Sequence, residues 1–170
     1  MNSHHMHLQA LANMAVDYPL LSQIDNASLV ESTWHHLKPF AGAPEAIDRL
    51  RTKYTVVVLT ILSWESIVNS SKRARVQWDG ILSCEFLGYY KPSMQAYLKA
   101  TRLLGLKPSE AMMVAAHEGD LAAARDAGLH TAYVNVPEED NMAEGFEEPE
   151  VFSFDIEAQD FDGLCRKLGV

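Results

Sequence analysis

Apolar and polar positions along the chain fall into blocks that predict strands and helices in alternation. Tyr54–Thr60 is β-branched and apolar on both faces, and Ala111–Ala116 is fully apolar. Such blocks are typical of parallel strands that helices cover on both sides. Shorter apolar blocks predict three further strands, at Ile81–Cys84, His130–Val134 and Phe152–Ile156.

Helical periodicity occupies the segments between these strands. Helices are predicted over residues 44–52, 64–75, 92–104, 120–127 and 161–168. Two more are predicted within residues 8–36, where Pro19 and the Asp25-Asn26 pair interrupt the apolar spacing. The alternation predicts an α/β fold, a Rossmann-like parallel sheet with helices on both faces. We therefore divide the chain into an N-terminal helical segment, 1–36, and an α/β core, 37–170.

Composition and charge narrow the range of partners. The 170 residues are close to one domain, and 48% of them are hydrophobic. A net charge of −9 argues against nucleic acid and anionic membrane surfaces, because both need a basic face. No apolar run approaches the ~20 residues that span a bilayer. Acidic residues concentrate in Pro137–Asp140 and Glu144–Glu150, which predict a solvated loop.

The cysteines and the N-terminus bear on the compartment. Cys84 and Cys165 are too few for a disulfide framework, and the first ten residues lack a signal-peptide pattern. We expect a reducing compartment, the cytoplasm. His4, His5 and His7 are interpreted as a terminus and not as a metal site, because a chain end rarely holds metal ligands in a fixed geometry.

Polar side chains follow the predicted strands where each one ends. Thr60 ends the first strand, Lys91 follows the second, and His117, Glu118 and Asp120 follow the third. In open parallel sheets ligands bind beyond these carboxyl ends. A hydroxyl, an ammonium and a carboxylate that converge there suit an anionic substrate.

Each of these residues also has a structural explanation. A threonine that ends a strand is usually structural, and a lysine beside proline is usually solvated. Asp120 could be a helix N-cap, and His117 could satisfy backbone groups. Their order at three successive strand ends favours the functional interpretation.

A series of stretches, taken in order, resembles a known family. The stretches are Trp34-His-His-Leu-Lys-Pro-Phe40, Trp78-Asp-Gly-Ile-Leu-Ser83, Tyr90-Lys-Pro92, Met112-Met-Val-Ala-Ala-His117, Asp120-Leu-Ala-Ala-Ala-Arg125 and Ala127-Gly-Leu-His-Thr-Ala-Tyr-Val134. They resemble the haloacid dehalogenase-like (HAD) superfamily, in particular its type II haloacid dehalogenase branch. The resemblance implies a HAD-like core, with the N-terminal helices as a short cap remnant.

The resemblance also implies residue roles. The family attacks a halide-bearing carbon, or phosphorus in its phosphatase branches, with an aspartate on its first strand. Thr60 matches the second-motif hydroxyl, Lys91 the third-motif lysine and Asp120 the fourth-motif acid. His117 and Glu118 lie in the fourth-motif loop.

The chain departs from the family in two places. The family opens with an apolar strand ending in Asp-x-x-Gly-Thr, and nothing before Trp34 matches it. The nearest string, Ala15-Val-Asp-Tyr-Pro-Leu20, lacks the Gly-Thr turn. The dehalogenases carry Asn-Gly after the second-motif hydroxyl, whereas this chain has Ile61-Leu62, and isoleucine cannot donate a hydrogen bond to a substrate carboxylate. Both departures argue against dehalogenation.

The unmatched strand predicts a gap in the sheet, between the strand ending at Thr60 and the strand ending at Ala116. Unpaired backbone groups along two inner edges would cost roughly 1–3 kcal/mol each. The two strands could pair directly. A second copy of the chain, or its N-terminal segment, could fill the gap. Alternatively, the chain is a truncated form of a longer hydrolase.

Three hypotheses for function follow. The favoured one is a repurposed enzyme for a small anionic organic molecule, in which His117 carries protons and Lys91 holds an anionic or enolate oxygen. The substrate-binding residues would be Trp34, Phe40, Trp64, Tyr90 and Glu118. The alternatives are a truncated dehalogenase- or phosphatase-type hydrolase and a non-catalytic dimerisation or binding module.

Assembly and cofactors complete the expectations. Open inner edges predict a homodimer. The phosphatase branches of the family hold magnesium between the first-motif aspartate and the fourth-motif acid, whereas the dehalogenase branch needs no metal. Because Asp120 alone is a poor magnesium site, we expect neither metal nor cofactor.

Overall fold

The computed structural model describes residues 8–10, 12, 13, 25, 28, 29, 33, 36–137 and 153–170. The core helices are α1 Ala43–Arg51, α2 Trp64–Ala74, α3 Cys84–Leu87, α4 Met94–Leu103, α5 Glu118–Asp126 and α6 Phe161–Leu168. The strands are β1 Val57–Thr60, β2 Gly80–Ser83, β3 Met112–Ala115, β4 His130–Val134 and β5 Ile156–Ala158. No helix in these ranges is long and apolar enough to cross a bilayer.

The strands form two parallel groups. β1 pairs with β2, with Val57 opposite Gly80 and Thr60 opposite Ser83. β3, β4 and β5 form the second group, in that order, and every pair is parallel. The predicted α/β fold with parallel strands and a HAD-like core is therefore confirmed. β1 and β3, which border the predicted gap, do not pair with each other, so direct closure of the gap does not occur.

Helices α4 and α5 form an apolar floor beneath both groups of strands. The floor is centred on Tyr97 of α4 and Ala124 of α5, both fully buried. Leu59 of β1 and Met113 of β3 pack against this cluster. One layer of helices therefore connects the two half-sheets where no strand does so among the described residues.

The remaining helices cover other surfaces. α1 and α6 pack together on the second group of strands, and their core contains Leu50, Leu164 and Val134. Ser63 caps α2 by accepting the N–H of Ser66, so that α2 begins close to the end of β1. Helices therefore cover both faces, as predicted.

Element boundaries shift where local hydrogen bonds compete with strand pairing. β1 begins at Val57 and not at Tyr54, because the Tyr54 N–H still completes the end of α1 by bonding to the Leu50 carbonyl at 2.8 Å. β5 lies at Ile156–Ala158, whereas Phe152–Ile156 was predicted. The Asp155 carboxylate accepts the Thr131 N–H at 2.8 Å. Backbone pairing with β4 therefore begins at the next residue, Ile156, which lies opposite Ala132.

Several predictions for the termini fall on parts of the chain outside the described residues. They are the histidines His4, His5 and His7, most of the N-terminal helical segment and most of the acidic loop. The described residues at 8–10, 12, 13, 28, 29 and 33 are helical. The division of the chain at residues 36 and 37 stays a prediction.

Asp79 ties the start of both strands of the first half-sheet to α1. Its carboxylate accepts the Val56 N–H and the Arg51 Nε–H, each at 2.8 Å. These contacts, the backbone hydrogen bond first, lower the pKa of Asp79 below its ordinary value of 3.8. A lowered folded-state pKa means that the carboxylate contributes stability above the unfolded-state pKa and loses it as the pH falls through the folded-state pKa.

We expect Asp79→Asn to reduce the acid sensitivity of the fold. Above pH 3.8 the variant should unfold at a lower temperature than the unsubstituted chain, and the difference should shrink as the pH falls further. Thermal unfolding followed by circular dichroism over this range measures the difference. Asp126→Asn is the matched control, because Asp126 is exposed at the end of α5. If the difference in unfolding temperature between Asp79→Asn and the unsubstituted chain does not change with pH, the lowered pKa of Asp79 is contradicted.

Candidate functional site

An ion pair joins the ends of the two half-sheets. The Lys91 Nζ lies 2.7 Å from the Asp120 Oδ2, and the two side chains are 19% and 15% exposed. Lys91 belongs to the segment after β2, and Asp120 to the first turn of α5 after β3. The predicted meeting of these two residues is therefore observed, and Lys91 is not a freely solvated surface lysine.

The segment before Lys91 contains a helical turn that sequence reasoning missed. Ser83 ends β2 and caps α3, and its hydroxyl donates to the Leu62 carbonyl at 2.7 Å. This contact joins the carboxyl end of β2 to the loop after β1. Gly88 ends α3 with a φ of 77°, a left-handed conformation that side chains disfavour. The turn redirects the chain toward Lys91, which a cis peptide bond joins to Pro92.

Tyr97 completes the network and was not predicted. It is fully buried in α4, and its hydroxyl donates to the Asp120 Oδ1. Burial, and then the hydrogen bond to Asp120, raise the pKa of Tyr97 well above the normal range. Tyr97 therefore stays a neutral donor, and both carboxylate oxygens of Asp120 have a partner. A buried tyrosine hydroxyl needs such a partner, but the sequence shows only an aromatic residue on the apolar face of a helix.

Cys84 lies near this network but has the properties of a core residue. It is fully buried, and burial raises the pKa of its thiol more than the nearby Lys91 lowers it. The thiolate is the reactive form of cysteine, so this environment keeps Cys84 inert. Cys165 is also a buried free thiol.

The other predicted catalytic residues lie at the expected strand ends. Thr60 is the last residue of β1, and its Oγ1 accepts the Leu62 N–H at 3.1 Å, so the hydroxyl shapes the turn. His117 is the N-cap residue of α5, and Glu118 begins the helix; both are exposed. Asp120 is therefore not the N-cap, and its ion pair explains its position better.

The predicted substrate-binding aromatic residues are spread over the surface. Tyr90 is half-buried and packs on the cluster that contains Cys84 and Leu87. Phe40 lies before α1, with 36% of its area exposed, and Trp64 begins α2, with 53% exposed. Trp34 lies outside the described residues. Their role as walls of a substrate site stays a prediction.

Two half-open clefts lie away from the strand ends. A cavity of about 530 Å³ lies beside α4, between Tyr89, Lys99 and Leu103. Another, of about 290 Å³, lies between β5 and α6 and is lined by Asp160 and Lys167. Neither cavity contains a predicted site residue, so the expected small-molecule pocket has no support from these cavities.

The donor set at Asp120 does not fit magnesium. Magnesium prefers octahedral coordination by oxygen atoms. One Asp120 oxygen receives the Lys91 ammonium and the other receives the Tyr97 hydroxyl. A divalent cation at Asp120 would lie beside the Lys91 ammonium, and the described residues contain no group of three or more histidine, cysteine or carboxylate side chains that could hold it, so no step of the proposed chemistry uses a metal.

Comparisons with known proteins agree with this fold. The family model for "haloacid dehalogenase-like hydrolase" matches residues 7–128. The crystal structure of the L-2-haloacid dehalogenase PA0810 superposes with a TM-score of 0.88 and 32% identity, over 99% of this chain and 74% of that one. The defluorinating L-2-haloacid dehalogenase Rha0230 gives 0.87 and 29%, over 100% and 71%.

One similar protein is named for an activity other than dehalogenation. The pyrophosphatase PpaX of Bacillus cereus (strain AH820) is 28% identical over 107 residues. The match covers 59% of this chain, which spans only 50% of that relative. The similar proteins thus include both dehalogenases and a pyrophosphatase, so their names agree in the fold and not in the substrate.

Proposed function

Because the chain belongs to the haloacid dehalogenase-like hydrolase family, we propose that the carboxyl ends of β1 and β3 bind a small organic anion, with Lys91 as the cationic partner. The observation that carries the proposal is the ion pair between Lys91 and Asp120. It is assembled from both half-sheets and is partly open to solvent.

The ammonium of Lys91 has capacity for a ligand. An ammonium has three N–H donors, and Asp120 receives one of them in the described contacts. Asp120 is itself hydrogen-bonded to Tyr97, so the lysine already has a fixed partner before an anion binds. The Thr60 hydroxyl can also donate, because its contact with Leu62 uses only its acceptor.

The favoured chemistry is acid–base transfer. His117 is exposed at the same strand end as Asp120, and an imidazole can both accept and donate a proton. Ile61 is 47% exposed at the position where the dehalogenases have an amide donor, which argues against their mode of holding a substrate carboxylate. We therefore propose that Lys91 stabilises an anionic or enolate oxygen while His117 moves the proton.

We expect Lys91→Met to abolish most of the affinity for small carboxylates. The probe is propionate, titrated into isotope-labelled protein and followed by NMR. Two lost charge-assisted hydrogen bonds, worth about 1.5–3 kcal/mol each, predict a fall in affinity of about 100-fold or more. The amide signals of Lys91 and the ring signals of His117 should shift with the same concentration dependence.

Lys72→Met is the control for that titration. Lys72 is exposed in the last turn of α2 and carries the same charge. Its loss should leave propionate binding unchanged, and urea unfolding of both variants shows whether the fold is intact. Equal weakening in the two variants, or shifts confined to residues remote from Lys91, would refute a site at Lys91.

A conventional hydrolase is the second candidate. Among the described residues neither β1 nor β3 has a strand on its inner edge, which favours this candidate, because an additional strand there could bring further catalytic groups beside Lys91. Under this hypothesis the chain alone releases neither halide from 2-chloropropionate nor phosphate from pyrophosphate, and turnover requires the additional strand. The homodimer expected from the same edges also stays a proposal, which sedimentation tests directly.

A further inference from the structure

The half-open cleft of about 530 Å³ beside α4 contains none of the residues of the site at Lys91. Most of its lining residues on α4 follow the three- and four-residue spacing of one helix face; they are Gln95, Leu98, Lys99 and Arg102, with Leu103 beside them. Tyr89, from the segment between α3 and Lys91, also lines the cleft. Tyr97 lies on the opposite face of α4, so the helix separates the cleft from the contact between Tyr97 and Asp120.

The cleft is basic, whereas the chain as a whole has a net charge of −9. Its charged lining residues are Lys99 and Arg102, and none of the described carboxylates lines it. The two cations lie three residues apart on α4, where like charges repel each other. In the described part of the chain, no ion pair or hydrogen bond joins the Arg102 guanidinium to another residue. An anion bound between the two cations would relieve the repulsion and give Arg102 a partner.

Lys99 has a defined position at the cleft. Its Nζ donates to the carbonyl oxygen of Leu87, the last residue of α3, at 2.6 Å. The same ammonium lies 5.7 Å from the centre of the Tyr89 ring, within the range of a cation–π contact. In the described contacts Leu87 receives one of the three N–H groups, so two remain for a ligand. One of the two cations is therefore already placed beside an aromatic ring before anything binds.

We propose that this cleft binds a small aromatic carboxylate, with its carboxylate between Lys99 and Arg102 and its ring beside Tyr89 and Leu103. The Arg102 guanidinium can donate to both oxygens of a carboxylate. Tyr89 and Leu103 are 45% and 57% exposed, so an aromatic ring that covers them removes apolar surface from water. The volume lies within the range of small-molecule sites. An inorganic anion would leave the apolar surface exposed, and a neutral compound would leave the cations uncompensated.

The test is a titration of the full, isotope-labelled chain with phenylacetate, followed by NMR. The amide signals of Tyr89, Lys99 and Arg102 should shift with one common dissociation constant. Arg102→Gln should weaken this binding by about tenfold or more, because it removes a charge-assisted hydrogen bond. Arg73→Gln is the matched control and should leave the affinity unchanged, since Arg73 is also an exposed arginine in the last turn of a helix. Phenylacetamide, which has the same ring without the charge, should bind about tenfold more weakly or less.

Phenylacetate also carries the charge that the site at Lys91 would bind, so the titration is repeated on Lys91→Met, where the shifts at the cleft should persist. Four results would overturn the proposal. They are no shift of the cleft amides at millimolar phenylacetate, equal weakening by Arg102→Gln and Arg73→Gln, equal affinity for phenylacetamide, and loss of the cleft shifts in Lys91→Met. If these amides shift with protein concentration and phenylacetate has no effect, a second copy of the chain covers the cleft instead. The propionate titration judges the anion site at Lys91 separately.

Discussion

Asp120→Ala is expected to lower the free energy of unfolding by about 3 kcal/mol, the lower end of the cost of breaking a buried ion pair. The substitution leaves the Lys91 ammonium without its carboxylate and the Tyr97 hydroxyl with only the weaker contact to the backbone carbonyl of residue 120, at 3.4 Å. The Lys91 and Asp120 side chains keep some exposure to water, which places the effect at the lower end. Urea unfolding, followed by tryptophan fluorescence and circular dichroism, measures it.

A double-mutant cycle separates the ion pair from the tyrosine contact. Combining Asp120→Ala with Lys91→Met removes the unpaired cation, so the double variant should be more stable than the sum of the single effects predicts. Asp126→Ala is the surface control, since Asp126 is exposed on the same helix, and it should change stability by less than about 0.5 kcal/mol. Additive single effects would show that Lys91 and Asp120 do not interact.

Leu87→Ala is expected to cost about 2–5 kcal/mol, because it removes a fully buried side chain from the cluster beneath β1 and β2. Leu87 is the last residue of α3 and shares this cluster with Cys84 and Ala96. Little of the surrounding structure can collapse into the space, since α3 is fixed by Ser83 at one end and Gly88 at the other.

Leu103→Ala provides the matched control. Leu103 is the last residue of α4, with 57% of its area exposed, so its truncation should change the unfolding free energy by less than about 0.5 kcal/mol. A similar cost for both leucines would mean that the cluster around Leu87 is not a core.

The pairing of Lys91 with Asp120 could be predicted because a topological rule brings it about. Residues that follow parallel strands meet at one edge of the sheet, and the sequence shows both the strands and the residues that follow them. The position of Lys91 after one strand and of Asp120 after another was therefore enough to predict that the two side chains meet.

Tyr97 and α3 could not be predicted in the same way. The importance of Tyr97 depends on the direction of one hydroxyl across the contact between two helices, which periodicity does not report. α3 has only four residues, fewer than two helical turns, so it has no repeating apolar pattern. The last strand was predicted at Phe152–Ile156 but lies at Ile156–Ala158. The Asp155 side chain accepts the Thr131 N–H in place of a backbone carbonyl, and the sequence does not show this contact.

The helical floor around Tyr97 also determines how motion can pass through the molecule. In a continuous sheet, hydrogen bonds between strands resist sliding of one half against the other. Here the described halves meet through side-chain packing of Leu59 and Met113 on α4 and α5, together with one ion pair. Packed helices permit small shear displacements. The floor therefore lets one half slide against the other, and a shear of about one side chain's width would change the distance between Thr60 and Asp120 without unfolding either half.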